Sequence, residues 1–162
     1  MCDGAQRREM AEADWPRVAE IWAEGIATGT ATFETEPPSW AFFDATRRPE
    51  ARFVVERDRT VVGWAALSPV SSRPCYAGVA ENSVYVAAAA RGLGVGTELM
   101  RALVDAAAAA GIWTIQCSVF PENAASKALH ERVGFRVVGR RERIAKLDGV
   151  WRDTLLLELR LP

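Results

Sequence analysis

The chain has 162 residues, enough for one domain with a full core. Its hydrophobic fraction of 49%, charged fraction of 25% and net charge of -1 are ordinary for a soluble globular protein and leave no basic nucleic-acid footprint. Cys2, Cys75 and Cys117 form no CxxC pair and His130 is the single histidine, so neither a disulfide framework nor a metal centre is indicated.

The N-terminus, MCDGAQRREMAEADW, is polar and lacks the apolar run of a signal peptide. No segment approaches the roughly 20 apolar residues of a membrane span. A cytoplasmic location with no membrane partner is expected. Asp14 reads as an N-cap and Pro16 as a first-turn residue of a helix through about Ile26. Val18, Ile21, Trp22 and Ile26 give that helix its apolar face. The stretch TGTATFETEPP is rich in turn formers. Ser39 then caps a short helix carrying Trp40 and Phe43, ended by Pro49.

RFVVE and TVVGWAAL flank Arg57-Asp58-Arg59 and predict a hairpin. SPVSSRP is loop, and ENSVYVA a further strand. GLGVGTELMRALVDAAAAAG predicts a helix with Leu93, Leu99, Leu103 and Val104 as apolar marks and Gly111 as its C-cap. IWTIQCSVF reads as a buried strand. NAASKALHER predicts a helix capped by Asn123. Two last strands, about 135–144 and 150–159, join across Leu147-Asp148-Gly149. The order predicts an α+β protein with a mixed sheet, in which residues 83–120 form a right-handed parallel crossover. Cys75 and Cys117 read as buried small apolar residues, and Trp151 as core packing or, if exposed, as an interface residue.

The stretch ARGLGVGTELM, residues 90–100, carries the chemistry. It has three glycines and then a helix. A P-loop needs a lysine after its last glycine, and here Thr97 follows Gly96. The dinucleotide fingerprint needs a third glycine where Thr97 or Leu99 stands, and an acidic residue that IWTIQCSVF lacks. What remains is a glycine-rich turn at a helix N-terminus, whose free N–H groups and dipole favour an anion, with Arg91 adding a full charge.

Arg91-x-x-Gly94-x-Gly96 resembles the Q/R-x-x-G-x-G/A signature of the GNAT N-acetyltransferase superfamily. NAASKALHERVGF resembles the second cofactor segment of that superfamily, in the same order and spacing. TATFETEPPSW, AENSVYV, ALHERVGF and GVWRDTLLLEL look like its phosphinothricin and methionine sulfoximine N-acetyltransferase branch. The resemblance covers nearly the whole chain and implies the GNAT fold, a single domain over residues 1–162, acetyl-CoA as co-substrate, a small-molecule amine as acceptor and a homodimer.

The resemblance also implies site residues. Arg91, Gly92, Gly94, Gly96 and Thr97 would hold the pyrophosphate. Val84 and Val86 would pair through their main chain with the pantetheine amides, near a bulge that the superfamily places at Val84; Asn123 and Ser126 would bind the same arm. Glu81 would be the general base, its pKa raised by apolar neighbours; the plain alternative is an exposed strand glutamate. His130 stands where many members have tyrosine, and would protonate the thiolate or assist deprotonation; the plain alternative is a packing histidine. Phe33, Arg73, Tyr76 and Glu81 would meet the acceptor, Arg73 taking its carboxylate. Ser71 and Ser72 replace more basic loop positions of phosphinothricin detoxifiers, which favours a small neutral amino acid, sulfone or sulfoximine. A peptide α-amine acetyltransferase and a non-catalytic CoA-binding module are the rival readings.

Overall fold

The computed structural model describes residues 4–162. Cys2 lies outside them. Seven strands form one sheet in the order β1-β2-β3-β4-β5-β7-β6. They are β1 (Ala5–Glu9), β2 (Arg52–Arg57), β3 (Thr60–Pro69), β4 (Val79–Val86), β5 (Thr114–Val119), β6 (Arg136–Leu147) and β7 (Val150–Arg160). Four α-helices accompany them: α1 (Trp15–Ala27), α2 (Trp40–Thr46), α3 (Val95–Ala109) and α4 (Ala124–Arg132). Every strand pair is antiparallel except β4 with β5, which α3 connects as a parallel crossover.

Local chemistry sets most boundaries. Asp58 and Arg59 both take positive φ between β2 and β3, and Asp148 and Gly149 do so between β6 and β7, as a tight hairpin matched to strand twist requires. Ser39 Oγ accepts from Phe42 N and starts α2. Gly111, at φ +76, follows the C-cap of α3. Asp14 stands at the N-cap of α1 but does not cap it by side chain. Its carboxylate turns back to accept from Arg8 at 2.8 Å twice and from Ala11 N at 2.8 Å, and the Arg8 guanidinium holds it below the usual carboxylate range.

Arg8 also bonds Glu56 at 2.7 Å. These ties belong to β1, an edge strand that sequence patterning does not predict. Its residues, AQRRE, are polar and mostly exposed, so no alternation marks them. Partner strand and ion pairs define it instead.

The middle of the sheet, at β3 and β4, is covered on both faces. Trp64 on β3 is fully buried, and its ring meets Trp22 of α1 at 4.9 Å and Tyr85 of β4 at 5.0 Å. Phe43 of α2 joins the same cluster at 5.6 Å from Trp64. The adjacent Gly63 points the other way, toward α3: a Cβ there would lie 2.8 Å from Val95 and 3.0 Å from Leu99. The glycine therefore lets α3 sit close on β3. Leu99, Met100 and Leu103 are fully buried beneath it, whereas Leu93 precedes the helix and is exposed, so it is not one of the helix's buried marks.

Three further expectations are corrected. Cys75 is exposed, whereas Cys117 is buried as expected. Trp151 is 47% exposed rather than in the core, with Arg143 and Lys146 over its ring at 5.2 and 4.8 Å. No bulge interrupts β4, whose register with β3 runs unbroken from Ala80 to Val86.

Candidate active site

The parallel β4–β5 pairing is short. It covers only Val79–Thr114, Ala80–Ile115 and Glu81–Gln116. Its base is clamped, because Trp113 N and Thr114 N both donate to Gly78 O, at 2.8 and 3.1 Å. Gly78 is required there, since a Cβ would overlap the Trp113 ring. Beyond Glu81 the strands part, β5 going to β7 and β4 keeping β3.

The parted strands leave one side of β4 open. Ala87 N donates to Val62 O of β3 at 2.8 Å. Strand alternation then turns the N–H groups of Val84 and Val86 away from β3, into the gap. A cleft of about 790 Å³ occupies that gap. Its wall includes Glu81, Val84 and Val86 from β4, the turn from Arg91 through Thr97, and Asn123, Ser126 and His130. Phe33 closes it from the loop after α1, edge-on to Phe120 at 4.8 Å.

The turn before α3 is built for an anion. Gly92 and Gly94 take φ of +77 and +83, with nothing within 4 Å of where a Cβ would stand. Such φ values are strained for other residues. They expose the first N–H groups of α3, a helix of 15 residues with the positive end of its dipole at the cleft. Arg91 and Arg132 line the same end. Gly96 admits Leu129 of α4, which would lie 3.0 Å from a Cβ.

α4 brings its residues in by one cap. Asn123 Oδ1 accepts from Ser126 N at 3.1 Å, and its Nδ2 donates to Thr30 O at 3.1 Å. The cap thus ties α4 to the loop that carries Phe33. Lys127 is not in the wall; it pairs with Glu131 at 2.6 Å.

His130 is buried at 3% exposure. Its Nδ1 donates to Ser126 O at 2.7 Å, and its Nε2 accepts from Asn82 Nδ2 at 3.0 Å. The ring stands edge-on to Phe135 at 5.0 Å. Burial lowers its pKa from the ordinary 6.5, against an opposing push from the Ser126 carbonyl. Glu81, by contrast, is exposed, and Gln116 Nε2 reaches its carboxylate only at 3.5 Å. The protein alone does not provide the apolar enclosure expected for it.

Arg73 and Tyr76 are not part of the cleft wall. They sit exposed on the 3-10 turn ahead of β4, the guanidinium 5.5 Å from the Tyr76 ring. The sequence did not single out several residues that are in the wall: Asn82, Tyr85, Arg132 and Thr154; Cys117, read as buried, is there too. For Asn82 a signal existed, because it is a polar residue on the strand face of Ala80, Val84 and Val86. Burial pushes the Cys117 thiol up to about 12 and the Tyr85 phenol up to about 12. Asn82 Oδ1 and Thr154 Oγ1 are buried in the wall without a hydrogen-bond partner. Among the described residues, no three His, Cys, Asp or Glu side chains cluster as metal ligands, and no helix is long and apolar enough to cross a membrane.

Splayed strands, a glycine turn under a helix N-terminus and a capped fourth helix define an acetyltransferase of the GNAT type. The model of the acetyltransferase (GNAT) family matches residues 13–135, and the chain belongs to that family. It is 31% identical to the L-methionine sulfoximine/L-methionine sulfone acetyltransferase of Pseudomonas paraeruginosa, over 97% of this chain and 95% of that one. It is 32% identical to the phosphinothricin N-acetyltransferase of Streptomyces coelicolor, over 94% of each. The fold is similar to a GNAT superfamily phosphinothricin acetyltransferase from Sinorhizobium meliloti in complex with AcCoA, at a TM-score of 0.88 and 30% identity over 97% of this chain and 88% of that one. The protein is an acetyltransferase, and acetyl-CoA is its donor.

The buried ring sets a pH dependence. A histidine whose folded pKa lies below its unfolded value binds fewer protons when folded, so its contribution to stability is present above pH 6.5 and lost as pH falls toward the folded value. Urea unfolding of the free enzyme should show stability declining below pH 6.5, by at most about 1.4 kcal/mol per pH unit. His130→Phe should flatten this decline, because no other histidine is present. An equal slope in both proteins would contradict the assignment.

Proposed function

We propose that the protein acetylates the α-amine of a small amino acid or amino-acid analogue of the methionine sulfone, methionine sulfoximine or phosphinothricin type. The observation that carries this reading is the β4–β5 gap, with Glu81 at its apex and the glycine turn at its far end. The chain's similarity, over nearly its full length, to acetyltransferases named for those substrates supports it. We place the enzyme in the cytoplasm, the compartment that supplies acetyl-CoA.

Acetyl-CoA, when bound, supplies a thioester whose carbonyl carbon takes the acceptor nitrogen. The chain's residues fit that donor. The Gly92–Gly96 turn and Arg91 suit a pyrophosphate, and the free N–H groups of Val84 and Val86 suit an amide-bearing arm. Asn123 and Ser126 stand along the same wall. Glu81 takes the proton of the attacking amine, directly or through one water, since its carboxylate is exposed and weakly held. Cys117 stays a thiol at neutral pH and is no nucleophile, which favours direct attack over an acetyl-cysteine. Phe33 packs against the acceptor's side chain. Arg73 and Tyr76, on the loop leading into Glu81, are the groups assigned to the acceptor's carboxylate, although they stand outside the cleft wall of the free enzyme.

We also propose a homodimer. Val137, Val138, Ile144, Val150 and Trp151 are all exposed on the β6–β7 hairpin, from 39% to 61%. Exposed apolar side chains on a hairpin at the edge of the sheet are what a second copy would cover. Trp151→Arg should shift the enzyme toward monomer in sedimentation, and an unchanged mass would remove this hairpin from the interface.

CoA release tests the reaction. Glu81→Gln should lower turnover by about 10²–10⁴-fold near neutral pH. The loss should shrink at high pH, where the amine deprotonates unaided. A small loss uniform across pH would reject Glu81 as base. Converting the acceptor's carboxylate to an amide should abolish most activity; full activity on the amide would favour a peptide α-amine as substrate.

A further inference from the structure

Asn82 meets His130 at one of its two ring nitrogens, Nε2. It lies on β4 next to Glu81, is buried at 8% exposure, and its side chain faces α3 and α4. Its Nδ2 lies 3.0 Å from His130 Nε2 and 3.7 Å from Met100 Sδ. Its Oδ1 is buried with no partner.

The far side of the ring is already committed. Nδ1 must carry a hydrogen to bond the Ser126 carbonyl at 2.7 Å. The charge of the ring then depends on Nε2 alone. A donor facing Nε2 requires a lone pair there, and the ring is neutral. An acceptor facing it would require a second N–H, and the ring would be an imidazolium. The amide can present either atom by a half-turn about its last side-chain bond. It presents nitrogen, although this leaves its own oxygen orphaned.

We propose that Asn82 is a positioning residue of the acetyl-transfer site, whose amide holds His130 neutral by donating to Nε2. This rests on the reading of the cleft as that site. It deepens it by assigning the resting charge state of the ring. His130 then has no proton at Nε2 to give to the leaving thiolate, and the site works with the ring neutral. The thiolate's proton comes from the amine by way of Glu81 or solvent.

Other ionisable groups nearby do not set this state. Glu81 on β4 is exposed on the opposite side of the strand from Asn82. Cys117 on β5 remains a thiol. On α4, Lys127 and Glu131 pair with each other and Arg132 reaches Thr97 Oγ1 at 3.4 Å. On α3, Glu98 faces Arg7 at 3.5 Å, and neither Glu98 nor Arg101 bonds the ring.

The test uses the only histidine of the chain as its own probe. Nitrogen NMR of the imidazole in the wild-type enzyme should show Nδ1 protonated and Nε2 bare at pH 7. Asn82→Asp places an acceptor-only group at Nε2 and should raise the ring's titration by about 1 pH unit or more. The acid limb of the kcat profile should move up with it, while the Kd for acetyl-CoA stays within about twofold. Asn82→Ala should keep the Nδ1 proton, held by Ser126, and weaken only the bias at Nε2. A protonated Nε2 in the wild-type spectrum at pH 7 overturns the proposal whether or not the variants fold. A titration unmoved by Asn82→Asp and Asn82→Ala also overturns it. If the ring's titration moves but the acid limb of kcat does not, Asn82 sets the charge without serving the reaction, and the positioning role fails while the site itself stands.

Discussion

Everything in the site depends on two strands that run side by side for only a few residues. β4 and β5 pair at Val79 to Glu81 and then separate. The clamp at Gly78, where two N–H groups share one carbonyl, fixes where the separation starts. The aromatic cluster around Trp64 holds β4 to β3 and α1, so β4 stays straight as β5 leaves. An unpaired strand edge inside a protein is costly unless something binds it. On the function proposed for the cleft, a ligand with its own amides would pair with this edge.

The two helices at the gap have separate duties. α3 brings a positive N-terminus to one end, through a turn that only glycines adopt without strain. α4 closes the other wall and is tied by Asn123 both to its own first turn and to Thr30. Glu81 and Asn82 are neighbours in sequence, but strand alternation sends them to opposite faces. One meets solvent at the cleft; the other meets the buried imidazole. A single strand thus brings to the same cleft an exposed carboxylate and the amide that bonds the histidine of α4.

Features with a local cause were legible in the sequence. Asp58-Arg59 and Asp148-Gly149 adopt the turns that hairpins need, and Asn123 and Ser39 cap the helices they precede. The glycine turn and the residues matched to the family's motifs reach the cleft together, from Glu81 through His130. Features with a distant cause were not legible. β1 has no pattern of its own and exists through β2, Glu56 and Asp14. Trp151 looks like core by residue type, but its hairpin has no layer above it. Arg73 and Tyr76 match the branch by position, yet the 3-10 turn keeps them outside the wall. The Asn82–His130 bond joins residues 48 apart and needs the packed fold to appear.

The central claim is that the open edge of β4 binds the donor's arm. Amide-resolved hydrogen exchange with and without acetyl-CoA tests it most directly. Saturating acetyl-CoA should strongly slow exchange at Val84 and Val86, and at the first amides of α3, while the N–H of Ala87, already bonded to Val62, changes little. Exchange at Val84 and Val86 that is the same with and without acetyl-CoA, while the donor is demonstrably bound, would contradict it.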